Sequence, residues 1–451
     1  MKYDFPNEFI ERINKTLDNE TDNLLEALNS QAPVSVRLNE LKSSDLSHLN
    51  TKNEVIWCDN AFYLEKRISF IDDPLWHAGA YYVQEASSMS LNFALKKHLP
   101  EGSKRVLDLC AAPGGKSTLL SSLLTENDLL VSNEIIKNRV LPLCDNLNRW
   151  GRANSVVTNS DPQKWGQQKE FFDVLVVDAP CSGEGMFRKE PHARDEWSVA
   201  NVNNCSIRQD KILDEVLPTL RPGGLLVYST CTFAEAENEL QIKKLIEDGY
   251  IYKEINFPAA WGIVNTGFGY RFYPHKITGE GFFLAILAKP KDGDYFPENL
   301  PSKRKWYTLF PKQLPPIKPF LENPEKFEYI LKDEEVFAVP LSLVNEMYHL
   351  QKRFKLSKMG VHLGRYINNE LIPSHELALY VGLNKNVPRL DLDDKQAAHY
   401  LRRQSFEYES SAKGWVIITH KNIPLGWAKL ISGRMNNYYP KEIRILKEFG
   451  V

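Results

Sequence analysis

Cysteine is the residue through which this sequence could do covalent chemistry, and its six copies stand at positions 58, 110, 144, 181, 205 and 231. No two form a Cys-x-x-Cys pair, which argues against a zinc ribbon or a disulfide-stapled small fold. A free thiol is most often a small buried packing residue. That reading covers Cys58, Cys144 and Cys205 and, taken alone, Cys110. Cys181 and Cys231 differ, because each closes an apolar run of strand type: FDVLVVDAPC ends at 181 and GGLLVYSTC ends at 231. In open sheets of parallel strands, ligands bind at the carboxyl ends of the strands. Two thiols 50 positions apart in sequence can therefore meet at one crevice, with the acid Asp178 beside them.

A second chemical feature lies upstream in VLDLCAAPGGKSTLL, residues 106–120, where a strand runs into a small, Gly-rich turn and then a helix. A phosphate-binding Walker loop would need glycine where Cys110 stands, and no GxGxxG is present. Cys110, Ala111, Ala112, Pro113, Gly114, Gly115 and Lys116 instead make a turn that lets backbone approach a ligand without a pyrophosphate, and the helix start offers N–H donors to a carboxylate. Asp108 ends the first strand, Glu134 lies just past the second and Asp161 past the third. Each acid alone reads as a helix cap or a solvated loop residue. Together, in order, they suit S-adenosylmethionine, with Glu134 placed to take both hydroxyls of a ribose. Arg139 and Asp178 complete the expected cofactor set.

One chemistry uses paired cysteines beside a methyl donor. Carbon 5 of cytosine is a poor nucleophile until a thiolate adds to carbon 6 and turns carbon 5 into an enamine carbon that attacks the methyl sulfonium. The carbon 5 proton must then leave and the thiol be expelled, which a second thiol or a water it positions can assist. An acid such as Asp178 can hydrogen-bond the pyrimidine edge and favour protonation at nitrogen 3 as the thiolate adds.

These groups need a scaffold. Over residues 105–289, RVLDLC, DLLVSNE, NSVVTN, FDVLVVDAP, GGLLVYSTC and FFLAILAK alternate with helical stretches, which predicts a mostly parallel sheet with helices on both faces. Before it, helical patterns at Phe9/Ile10/Ile13/Leu17 and Leu24/Leu25/Leu28 and an alternating run at 34–39 predict a small α+β unit. After it, the Pro- and charge-rich run at 289–306 reads as a boundary. A mixed segment follows, then strand-like stretches such as WVIITH and LGWAKLIS in a β-rich end. The expected division is 1–95, 96–290, 291–375 and 376–451. A length of 451 residues already exceeds one typical domain of roughly 150.

Composition, 43% hydrophobic and 25% charged, excludes disordered and collagen-like classes, and no short repeat suggests a solenoid. The longest apolar run, Phe282–Ala288, is far short of the roughly 20 residues that cross a bilayer. The amino end is acidic and amphipathic, unlike a signal peptide, so a soluble cytoplasmic protein is expected. A net charge of -2 hides an asymmetry: residues 291–451 carry 25 Lys and Arg against 19 Asp and Glu. A basic end of this kind suits an RNA-binding appendage.

The motifs resemble those of the Nol/Nop/Sun family of RNA cytosine-5 methyltransferases. The likeness rests on CAAPGGK at 110–116, SNE ending at Glu134, DAPCSGEG at 178–185 and STCT at 229–232, with YVQEASSM at 82–89 and PHKITGEGFFLAIL at 274–287. It implies a Rossmann-like S-adenosylmethionine-dependent catalytic domain, Cys231 as nucleophile and Cys181 as the group that assists release. DNA cytosine-5 methyltransferases attack instead with the Pro-Cys cysteine, so the Thr-Cys-Thr at 230–232 decides for RNA. Beyond Lys289, GRYINNELIPSHELAL, LDLDDKQAAHYLRRQ and IPLGWAKLISGRMNNYYPK resemble the tail of the bacterial RsmF type, which carries a PUA-like RNA-binding domain. The resemblance implies cytosine methylation of 16S ribosomal RNA in the small subunit near the decoding region, and no metal. The RsmB type fits poorly, because too few residues precede YVQEASSM for its added helical domain. Transfer RNA as substrate, or a non-catalytic role in ribosome assembly, are the alternatives.

RNA contacts are expected from two places. In the tail, Trp415, Trp427, Tyr438 and Tyr439 interleave with Lys421, Lys429, Arg434 and Lys441, so aromatic faces could stack bases while cations neutralise phosphates. Trp415 itself reads as β-core. In the catalytic region, Arg188 and Lys189 of FRKEPHAR follow Cys181 and could clamp RNA.

Overall fold

A computed structural model of the protein describes residues 5–43, 45, 47–291, 300, 304–404, 406, 408, 413–431 and 434–446. Two helices, Asn7–Leu17 and Thr21–Leu28, precede a four-stranded antiparallel sheet of β1 (Ser35–Leu38), β2 (Thr51–Glu54), β3 (Ala61–Leu64) and β4 (Tyr81–Val83), ordered β2-β3-β1-β4. This is the α+β unit expected, with one difference: among the described residues, helices and sheet contribute to separate cores. Phe9, Ile13, Leu24 and Leu28 of the helices share a core with Phe187, Trp197, Phe233 and Tyr273 of the catalytic region.

All six predicted strands of the catalytic region are present: β5 (Arg105–Asp108), β6 (Leu129–Asn133), β7 (Ser155–Thr158), β8 (Phe172–Asp178), β9 (Leu220–Thr230) and, after the short β10 (Ile251–Tyr252), β11 (Val264–Asn265) and β12 (Tyr270–Phe272), β13 (Phe282–Ala288). Strands β7, β6, β5, β8 and β9 lie parallel in that order, and β13 runs antiparallel to β9. The register shows why the strands read as unbroken apolar runs. Leu130, Val106, Val174 and Leu225 align across four strands and pack into one core, while Val131, Leu107, Leu175 and Leu226 align beside them and pack into the other. Both faces are covered, so these strands do not alternate between a buried apolar face and an exposed polar one. The chain starts at β5, runs outward to β7 and returns at β8. The order therefore reverses between β5 and β8, where such folds open a ligand crevice.

The segment after residue 290 is less separate than its sequence suggests. Within the boundary run, residues 292–299 and 301–303 lie outside the described residues. Strands β14 (Phe327–Lys332), β15 (Glu335–Pro340), β17 (Val361–Ile367) and β18 (Glu370–Pro373) form their own antiparallel sheet, but β16 (Leu356–Met359) pairs with β7 and extends the catalytic sheet at its edge. The carboxyl end is β-rich as expected: β19 (Arg389–Leu392), β20 (Gly414–His420), β21 (Ile423–Ile431) and β22 (Arg434–Asn437) make a four-stranded sheet. Its Val416, Ile418, Leu425 and Tyr439 share one core with Val36, Leu38, Leu75 and Tyr81 of the amino-terminal unit. The two ends of the chain thus form one packed body. Among the described residues, no helix is long and apolar enough to cross a membrane.

Candidate active site

The carboxyl edges of β8 and β9 bring together what the sequence separates. Cys181 Sγ lies 3.1 Å from Cys231 Sγ, and the Cys231 backbone N–H donates to Cys181 Sγ at 3.3 Å. Asp178 ends β8 beside them. Ser229 Oγ donates to its Oδ1 at 2.7 Å, and Lys116 Nζ reaches its Oδ2 at 2.8 Å from the cofactor loop. The hydrogen bond with Cys231, together with burial, holds the Cys181 thiol well above the ordinary cysteine range, so Cys181 keeps its proton. Burial alone would lower the Lys116 ammonium, but the Asp178 carboxylate outweighs it and the net shift is upward. Lys116 therefore stays charged over the Phe282 ring, 5.0 Å from its centroid.

The loop between β5 and the helix Gly115–Leu123 adopts the form its small residues allow. Gly114 has φ 115°, in the left-handed region, where a Cβ would also press on Leu143 at 3.3 Å. Ala111 N–H bonds Asn133 O at 2.9 Å, and Arg139 Nη2 donates to Ala112 O at 2.6 Å while its Nη1 stands 3.4 Å from Glu134 Oε2. Arg139 thus ties the loop to Glu134. Pro113 is exposed. Cys110 is half-buried among Asp178, Asp108 and Glu134; burial and those charges push its thiol up and leave it inert. Asp161 stands past β7 as expected but is exposed, and its Oδ1 caps the next short helix through Gln163 N–H at 2.9 Å.

S-adenosylmethionine fits these residues. Among the described residues, Asp108 Oδ1 is a buried acceptor with no hydrogen-bond donor and Glu134 Oε2 has the Arg139 ion pair but no hydrogen bond, although each residue's other oxygen is satisfied by Ser117 Oγ at 2.6 Å or Ile136 N–H at 2.8 Å. A ligand carrying hydroxyl or ammonium donors would complete both. Burial pushes the Asp108 carboxyl up to about 7, with Ser117 and Lys116 opposing the shift. Among the described residues, no group of three or more His, Cys, Asp or Glu is arranged to hold a metal ion.

Sequence reasoning missed the layer beneath the thiols. Glu237, Gln209, Ser182, Thr232 and Asn238 form a buried network there, and Glu184 accepts from Phe233 N–H at 3.0 Å and Trp197 Nε1 at 2.8 Å while pairing with Arg12. The acid-rich EAENE stretch after Cys231 resembled any exposed helix start, so nothing but its composition signalled it.

The RNA-contact expectations divide. Arg188 does not offer its charge to solvent. Its side chain is 5% exposed, pairs with Glu280 Oε2 at 2.9 Å and bonds Gly279 O, so it closes two loops internally. Lys189 beside it is exposed, as are Arg434, Tyr438 and Lys441. Trp427 and Tyr439 are core residues, each 1% exposed. Trp415, read as core, is instead half-buried: Tyr438 meets it edge-on at 4.5 Å and Lys429 Nζ lies 5.3 Å from its ring centroid.

Doubly wound sheet, cofactor loop and acids define a methyltransferase that uses S-adenosylmethionine. A family model described as 16S rRNA methyltransferase RsmB/F matches residues 96–288, the N-terminal domain of 16S rRNA methyltransferase RsmF matches 5–86, and the methyltransferase RsmF PUA domain matches 387–445. Ribosomal RNA small subunit methyltransferase F of Aliivibrio fischeri (strain MJ11) is 30% identical over 97% of both chains. The protein of that name from Escherichia coli O127:H6 is 30% identical over 97% of this chain and 96% of its own. Among solved structures, a methyltransferase homolog from Pyrococcus horikoshii is 28% identical with a TM-score of 0.55, covering 63% of this chain and 95% of that one. NSun6 from the same organism shares the fold at 21% identity and a TM-score of 0.57, over 65% of this chain and 100% of that one. This chain belongs to the RsmF family of 16S rRNA methyltransferases.

Proposed function

We propose that the protein methylates carbon 5 of cytosine in 16S ribosomal RNA near the decoding region, in the cytoplasm, through a covalent bond between Cys231 and carbon 6. The observation that carries this reading is the pair of thiols 3.1 Å apart beside an acid held by Lys116 and Ser229. A methyltransferase acting on a heteroatom needs no such pair. The relatives' names supply the small-subunit substrate.

Bound S-adenosylmethionine supplies an electrophilic methyl group. Cys231 Sγ, as thiolate, forms a bond to carbon 6, and the double-bond electrons become available at carbon 5. Asp178 hydrogen-bonds the pyrimidine edge, with the Lys116 ammonium behind it keeping a proton available as nitrogen 3 takes one up. After methyl transfer, loss of the carbon 5 proton re-forms the double bond and breaks the bond from carbon 6 to Cys231. Cys181, which has kept its proton, gives it to the departing Cys231 sulfur and regains one from carbon 5 through water, while nitrogen 3 gives back the proton it took up, which leaves to solvent past Asp178. Exposed Lys189, Arg434, Tyr438 and Lys441 and half-buried Lys429 are the side chains offered to RNA, with Trp415 as a stacking face.

The test is nucleoside analysis after the protein meets methyl-labelled cofactor and unmodified small subunits, stripped 16S RNA or bulk transfer RNA. Label in 5-methylcytosine from a small-subunit substrate, abolished by Cys231→Ala, is expected. Label in transfer RNA alone would move the substrate. Cofactor binding with no label in any RNA would leave an assembly factor.

A further inference from the structure

Cys181 and Cys231 come from different loops, yet the residue after each meets the same carboxylate. Glu237 is fully buried, at 0% exposure. Its Oε2 accepts from the Ser182 backbone N–H at 2.9 Å and from Gln209 Nε2 at 3.1 Å, and its Oε1 accepts from Ser182 Oγ at 2.5 Å and from Thr232 Oγ1 at 3.4 Å. The hydroxyls of Ser182 and Thr232 are 2.9 Å apart, and Gln209 Nε2 also donates to Pro180 O at 3.0 Å. The backbone of Glu237 is anchored in turn, since Tyr228 Oη donates to its carbonyl at 2.7 Å from within β9.

We propose that Glu237 is the positioning residue of the two-thiol site, one carboxylate that fixes how Cys181 faces Cys231. The proposal rests on the reading above, in which Cys231 adds to the base and Cys181 assists its release. Glu237 reaches neither sulfur, so it acts through the loops. Its contacts are unequal. Residues 180–182 are held by Glu237 and Gln209, with Thr232 Oγ1 also bonding Ser182 Oγ, whereas the Cys231 loop has a further tie from Asn238 Nδ2 to Thr232 O at 2.9 Å, and Gly185 N–H, four residues past Cys181, holds Cys231 O at 2.8 Å. Loss of the carboxylate therefore displaces Cys181 more than Cys231, and release suffers more than addition. A displacement of about 1 Å in a reacting group can cost on the order of 100-fold in rate.

Glu237→Gln tests this, because the amide replaces one acceptor with a donor and so cannot take both bonds from Ser182. Expected are a fall in kcat of about 30-fold or more, cofactor affinity within about twofold of wild type, and a covalent protein–RNA adduct that survives denaturing electrophoresis. The adduct should vanish in the Glu237→Gln/Cys231→Ala double variant. Gln209→Leu, which keeps the carboxylate but frees Pro180, should trap less adduct, and it carries the measurement if Glu237→Gln fails to fold. Unchanged kcat in both variants, or lost activity in step with lost cofactor binding and no adduct, overturns the proposal. Cys181→Ala serves as the reference: if it too traps no adduct although wild type makes 5-methylcytosine, the two-thiol release step itself is wrong and the role of Glu237 falls with it.

Discussion

At the residue scale, the electrostatics of the crevice make a measurable statement about cofactor binding. Asp108 is buried, and among the described residues only Ser117 bonds it directly; burial lifts its carboxyl to about 7, with Asp178 and Glu134 adding to the shift. Below pH 7 it is mostly neutral, and a neutral acid attracts a cofactor ammonium or hydroxyl donor less. Cofactor affinity by calorimetry should therefore weaken about tenfold from pH 8 to pH 6, one unit below that value, and Asp108→Asn should bind weakly with no such slope. A flat wild-type profile would remove Asp108 from the ligand set. The same shift acts on stability with a definite sign. The folded state holds a proton that the unfolded chain releases near 3.8, so this group's contribution to the stability of the ligand-free protein falls as pH rises from about 4 to about 7.

At the element scale, the amino-terminal helices support the loop that carries Cys181. Arg12 of the first helix pairs with the fully buried Glu184, three residues beyond Cys181, and Arg194 donates to Leu28 O at 2.8 Å and Asn29 Oδ1 at 2.9 Å. Removing one partner of such a pair leaves a buried charge with one fewer donor. Arg12→Ala should cost about 2–3 kcal/mol, somewhat less than a fully buried pair because Arg12 is partly exposed. The melting temperature checks this. Hydrogen exchange should rise in residues 181–197 before it rises in β5 or β6. Equal exchange there would mean that the helices merely rest on the domain. In the carboxyl-terminal sheet, Trp415→Ala should weaken RNA binding several-fold in a titration and lower the melting temperature modestly, because the half-buried ring packs on the core and leaves part of its surface to a base.

At the scale of the whole molecule, chain ends hundreds of residues apart share a core. Leu425 of β21 is fully buried in the cluster that includes Val36 of β1 and Leu75. Leu425→Ala should cost about 2–5 kcal/mol. It should also speed hydrogen exchange in β1 and β4 as well as in β20 and β21, since the cavity belongs to both units. Faster exchange confined to the carboxyl-terminal sheet would show that the two ends are energetically independent.

Local pattern was enough for the catalytic region. Its strands are buried on both faces and its cofactor turn needs small residues, so both are written as unbroken apolar runs and as CAAPGG, and the acids and cysteines fall at strand ends that can be counted. Trp415 and Trp427 each follow a glycine in a β-strand, however, and composition could not say which one is the more deeply buried. Arg188 looked like any basic loop residue until Glu280, 92 positions away, supplied its partner. Pairing of β16 with β7, the shared core of the two ends, and the carboxylate of Glu237 beneath two distant loops are likewise contacts between segments far apart in sequence. A sequence fixes which residues are apolar, small or ionisable and at what period; which buried charge meets which partner depends on the closure of the whole chain, and only the tertiary structure decides it.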